Sequence, residues 1–138
     1  MAGELPEYYF RVREQGAAVY RVETDNPERR LELNQIAVVN TKRGDWKPQG
    51  ATELTAADEA AIADWLAHRQ AVLAERRLDD IHRAVDHLNL TAAWAQSQAT
   101  DAELEGVTDT LLLAMHDLRT VLIRRKADRI DRADGADG

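Results

Sequence analysis

Residues 100–122 read TDAELEGVTDTLLLAMHDLRTVL, and this stretch decides the fold. Its first four residues, Thr100-Asp101-Ala102-Glu103, form a capping box. A hydroxyl there can accept from the amide three residues on, while the glutamate reaches back to the first amide. A periodic apolar run follows at once. Leu104, Val107, Leu111, Ala114, Leu118 and Val121 step by 3, 4, 3, 4 and 3, the rhythm of a heptad seam along a helix. Leu112, Met115 and Leu122 widen that seam into a stripe, which suits a helix contacted from two sides.

Upstream, Leu78, Ile81, Val85, Leu88, Ala92 and Ala95 repeat the same spacing. Gln96 to Ala99 lose it, so the link between the two runs is short and the helices should lie antiparallel, a helical hairpin over 78–130. Trp94 sits beside the expected turn, where an indole caps a bundle or anchors an interface.

No glycine or proline occurs from 51 to 105. Thr55 is a suitable N-cap, with the Asp58 carboxylate three residues on to answer the free amides and the helix dipole. Ile62, Trp65, Leu66, Val72 and Leu73 keep helical spacing, so 51–77 is expected to be a helix covering a sheet. Periodicity leaves open whether this helix runs into the next; a shift of the apolar face favours a bend near Arg77 to Asp80. The end, 131–138, is polar and of low complexity and is expected to be disordered.

The first fifty residues read as a small antiparallel β-meander. Tyr8, Phe10 and Val12 alternate with polar neighbours. Glu14-Gln15-Gly16-Ala17 is a candidate turn in which Gly16 would take positive φ. Val19 to Val22 reads as the returning strand. Pro27 then interrupts the pattern, and 30–33 and 36–40 form two further strands or one bulged strand. Trp46 begins a short last strand. Such a sheet needs a helix on its apolar face.

Composition narrows the function. The chain has 138 residues, 44% hydrophobic and 31% charged, which fits a folded domain with a helical arm. It has no cysteine, so disulfides, thiolate metal sites and cysteine nucleophiles are excluded. Residues 1–10 lack a basic region followed by an apolar run, so no signal peptide is expected there. The apolar runs are too short to span a bilayer, and the expected location is cytoplasmic, away from membranes. The net charge of −7 arises after residue 50, and a field of that sign does not favour nucleic acid.

Candidate motifs reduce to ordinary structure one by one. Arg43-Gly44-Asp45 is turn chemistry. Asp79, His82 and Asp86 share a helix face, as do Glu105, Asp109 and His116, but they fall between seam positions where solvated pairing is expected. The paired acidic motifs of a nucleotide pyrophosphohydrolase are missing, Ser97 has no hydrolase context, and no glycine-rich phosphate loop occurs. Arg119, Arg124, Arg125, Lys126 and Arg129 complement a helix C-terminus, and would touch nucleic acid only if several such ends were gathered.

The expectation is therefore an α+β protein without catalytic residues, metal or cofactor. It would act as an interaction or assembly protein, a homodimer joined as a four-helix bundle. Leu104, Val107, Leu111, Leu118 and Val121 would pack against Leu78, Ile81, Val85 and Leu88, with Trp94 beside the turn; another protein partner could use the same helical surface. A nucleic-acid-binding regulatory or packaging factor using the sheet or the basic helix end, and a metal-dependent enzyme on the hairpin, stand behind it.

Overall fold

The computed structural model describes residues 5–28 and 30–137. Four strands come first: β1 (Tyr8–Arg13), β2 (Gly16–Glu23), β3 (Glu32–Asn40) and β4 (Asp45–Pro48). They form one antiparallel sheet in the order β1-β2-β3-β4. Two long helices follow, α1 (Ala56–Ser97) and α2 (Asp101–Asp137), giving an α+β layout. The chain divides into two compact units, residues 1–81 and 82–138.

In the first unit the meander places alternate side chains toward the N-terminal turns of α1. Val19, Ala37, Val39, Ile62 and Leu66 are buried together, with Tyr8, Phe10, Trp46 and Trp65 packed around them. Phe10 and Trp65 stack in parallel, ring centroids 4.8 Å apart. β3 is one bulged strand. Val19 pairs with Ala37 and Tyr20 with Gln35, so Ile36 is the extra residue, and it is fully buried.

Gly16 departs from the expected turn role. It is the first residue of β2, paired with Asn40. What requires glycine there is crowding, because an added Cβ would lie 1.9 Å from the Val39 carbonyl oxygen. Positive φ belongs instead to Gly44 in the β3–β4 turn, at 76°, and to Gly50, at 57°. The Arg43-Gly44-Asp45 tripeptide is thus a hairpin turn, its Arg43 amide donating to Asn40 Oδ1 at 2.9 Å.

The start of α1 is locked by a reciprocal box. The Thr55 amide donates to Asp58 Oδ2 at 2.9 Å and the Asp58 amide to Thr55 Oγ1 at 3.0 Å. The same carboxylate reaches the sheet. The Tyr8 hydroxyl donates to Oδ1 at 2.7 Å, and the Arg21 guanidinium pairs with both oxygens. Asp58 is 1% exposed, yet every acceptor site is used, which is the condition for burying a charge.

α1 does not break at Arg77 to Asp80. It is a single helix of 42 residues, and Glu75, Arg76, Arg77 and Leu78 are all good helix formers that let it continue. α2 likewise runs past Asp131, where polar composition sets the expected end, and stays helical through Asp137. Ala133, and Arg132 four residues after Asp128, favour that continuation.

Candidate self-association surface

The second unit is a helical hairpin with a three-residue link. The Gln98 and Ala99 amides both donate to the Trp94 carbonyl at 2.9 Å, closing the end of α1. Thr100 then caps α2. Its amide donates to Glu103 Oε1 at 3.1 Å, and the Glu103 amide donates to its hydroxyl at 3.2 Å. These bonds hold the Glu103 carboxyl below the usual range.

From this turn outward the seams lose cover. Trp94, Ala95 and Leu104 are half-buried. Val107 and Leu111 are each 37% exposed, while Leu118 and Val121 are 56% and 50% exposed. On α1 the same gradient runs from Leu88 at 45% to Leu78 at 62%, with Val85 and Ile81 between. No residue of α2 is buried among the described residues. A cavity of about 260 Å³ separates the seams near the turn, with Leu88, Ala92, Leu104 and Met115 on its walls.

The apolar arc of α2 is wider than one neighbour can cover. At roughly 100° per residue, Leu104, Leu111, Leu118 and Leu122 share one face, while Leu112, Ile123 and Ile130 lie about a quarter-turn round. All three of the latter are at least half exposed. Leu90 and Leu113 stand out further still, at 69% and 68%. The seam pattern does not include these two, and the signal for Leu113 was the unbroken triplet Leu111-Leu112-Leu113, which must spread around a helix.

On one flank of the hairpin a groove of about 660 Å³ runs between Leu90 and Trp94 of α1 and Gly106 and Val107 of α2. Its lining is almost wholly apolar. Thr91 on its wall already donates its hydroxyl to the His87 carbonyl at 2.7 Å. Gly106 has open space where a Cβ would be, so no contact among the described residues accounts for a glycine inside the helix.

The remaining candidates are not assembled into a site. Arg119, Arg124, Arg125, Lys126 and Arg129 are exposed along the last half of α2, interspersed with Asp128. Among the described residues no group of three or more histidines and carboxylates could hold a metal ion, so Asp79, His82, Asp109 and His116 do not form one. His116 Nδ1 instead lies 3.3 Å from Asp117. Among the described residues no helix is long and apolar enough to cross a membrane. Comparison of the chain with protein families, curated proteins and solved structures gives no match.

Proposed function

We propose that this chain is a non-enzymatic assembly protein that associates with a second copy of itself through the helical hairpin, the two hairpins closing into a four-helix bundle. The observation that carries this reading is α2 itself: a 37-residue helix with no buried residue among the described ones and an apolar arc spanning about half its circumference.

The area available is of the right size. An aliphatic side chain offers roughly 60–120 Å² to bury, so the half-exposed residues of the hairpin supply on the order of 600 Å². A standard interface buries about 800 Å² per partner, a little over half of it apolar. The open space over Gly106 and the half-buried Trp94 beside it provide a concave, anchored centre for such a contact.

Light scattering coupled to size-exclusion chromatography tests the reading. The expected mass is twice the 15.5 kDa of one chain. A folded monomer throughout the micromolar range would overturn it.

A further inference from the structure

The sheet face opposite α1 carries a different feature. Tyr8 and Phe10 point to the helix, so Tyr9, Arg11 and Arg13 occupy the other face. Register sets Arg11, Ala18, Val38 and Lys47 in one row across the four strands. The next row is Arg13, Gly16, Asn40 and Asp45. Between Arg11 and Arg13 on one edge strand and Lys47 on the other, β2 carries only Gly16 and Ala18 on this face, and Ala18 is fully covered. A shallow cavity of about 280 Å³ lies here, with Arg13, Gly16, Val38, Arg43 and Lys47 among its walls.

Charge is sorted along the strands. Glu7, Glu23 and Glu32 gather at the far end of the sheet, where Glu23 pairs with Glu32. At the cavity end the acids are Glu14 and Asp45, and Asp45 is held by Arg43 at 3.3 Å. Arg11, Arg13 and Lys47 have no carboxylate partner among the described residues.

Cations on edge strands also discourage sheet-to-sheet pairing, which mobile side chains do well enough. Arg11 is not mobile in that sense. Its guanidinium lies 4.7 Å from the Tyr20 ring centroid and donates to the Tyr20 hydroxyl at 3.0 Å. The Tyr9 ring stands beside it, 43% exposed. A fixed guanidinium plane next to an open aromatic ring is a surface on which planar bases stack.

We propose that this face binds single-stranded nucleic acid, with phosphates along Arg13, Arg43 and Lys47 and a base over Tyr9 and Arg11. The shallow cavity walled by Arg13, Arg43 and Lys47 admits a sugar-phosphate backbone; Arg13 and Lys47 have no carboxylate partner among the described residues, and Arg43 is shared with Asp45. This site is separate from the helical association surface and does not depend on it.

The test is fluorescence anisotropy of the full chain with labelled oligo-dT and oligo-U of about twelve nucleotides. Neutralising three to four phosphates predicts affinity falling roughly 20- to 50-fold between about 50 and about 200 mM salt. Arg13→Glu with Lys47→Glu should weaken binding at least about tenfold. Tyr9→Leu should weaken it at least about fivefold, a loss of stacking. Arg124→Glu with Arg125→Glu on α2 should leave affinity unchanged. Circular dichroism of each variant, matching the wild type, shows that the fold is retained; all these positions are exposed.

No binding at the lower salt would overturn the proposal. So would equal affinity for a duplex of the same length, loss of binding only in the α2 variant, or displacement of the strand by polyglutamate at equal charge concentration. The last result would assign the face to an acidic protein segment.

Discussion

The Tyr8 hydroxyl donates a 2.7 Å hydrogen bond to Asp58 Oδ1, joining the first strand to the first turn of a helix fifty residues later. Arg21 on β2 pairs with the same carboxylate. One buried acid therefore ties two strands to a helix start while also serving as the helix cap.

Loss of that acid should be costly. Asp58→Ala removes the cap and leaves Arg21 and Tyr8 without their acceptor, and is expected to lower stability by about 2–4 kcal/mol. Urea denaturation at fixed protein concentration measures this, since association would otherwise shift the midpoint. A change within about 0.5 kcal/mol would show that the constellation is unimportant.

The acid limb of the stability profile carries the same signature. Hydrogen bonding from Arg21, reinforced by Tyr8 and Thr55 against the opposing effect of burial, holds the Asp58 carboxyl far below the usual range. A depressed folded value means that the unfolded chain binds the proton first as pH falls. The contribution is complete above about pH 5 and is lost progressively below it. The stability difference between wild type and Asp58→Asn should therefore shrink between about pH 5 and about pH 2; a constant difference contradicts the assignment.

Tyr8 governs the alkaline limb. Burial, with the Asp58 carboxylate beside it, pushes its phenol up to about 12. Here the folded chain retains a proton that the unfolded chain releases, so stability is intact below about pH 10 and falls as pH rises toward 12. Tyr8→Phe should flatten that decline, as read from thermal melts across the alkaline range.

Gly16→Ala should destabilise the sheet by about 2–3 kcal/mol, because the new methyl meets the Val39 carbonyl and the β2–β3 backbones must move apart. Gly106→Ala should do the reverse in a chain held monomeric by Leu118→Asp. Open space surrounds that position, and alanine gains about 1 kcal/mol of helix propensity. Thermal unfolding of both pairs reports the signs directly.

Leu118→Asp and Val121→Asp should each convert the proposed dimer to monomer, since both side chains are at least half exposed in one chain and gain cover only from another. Sedimentation velocity distinguishes the outcomes. A variant that remains dimeric would move the interface off this face of α2.

Local chemistry was legible in the sequence where partners are close in the chain. Thr55 with Asp58, and Thr100 with Glu103, act within three residues of each other, and both boxes form as their spacing implies. Alternation at Tyr8 and Phe10 likewise identified the strand and its inward face. What stayed hidden was long-range. Nothing near Asp58 reveals that Tyr8 and Arg21 converge on it, and Gly16 is required by a carbonyl 23 residues away. The ends of the helices were also obscure, because moderate propensity at Arg77 to Asp80 or after Asp131 permits either continuation or a stop. For the association surface, periodicity states which residues share a face; it carries no record of what lies opposite.

The bulge at Ile36 has a consequence for how much this small sheet can enclose. In a straight strand, neighbours face opposite ways, so β3 could send only every second side chain inward. The extra residue breaks that alternation, and Ile36 and Ala37 are buried in succession, followed by Val39. One irregular peptide thus gives a nine-residue strand an additional aliphatic group in its interior, thickening a core that a single covering helix would otherwise leave thin. Removing Ile36 would restore regular pairing and yet leave the sheet less well filled.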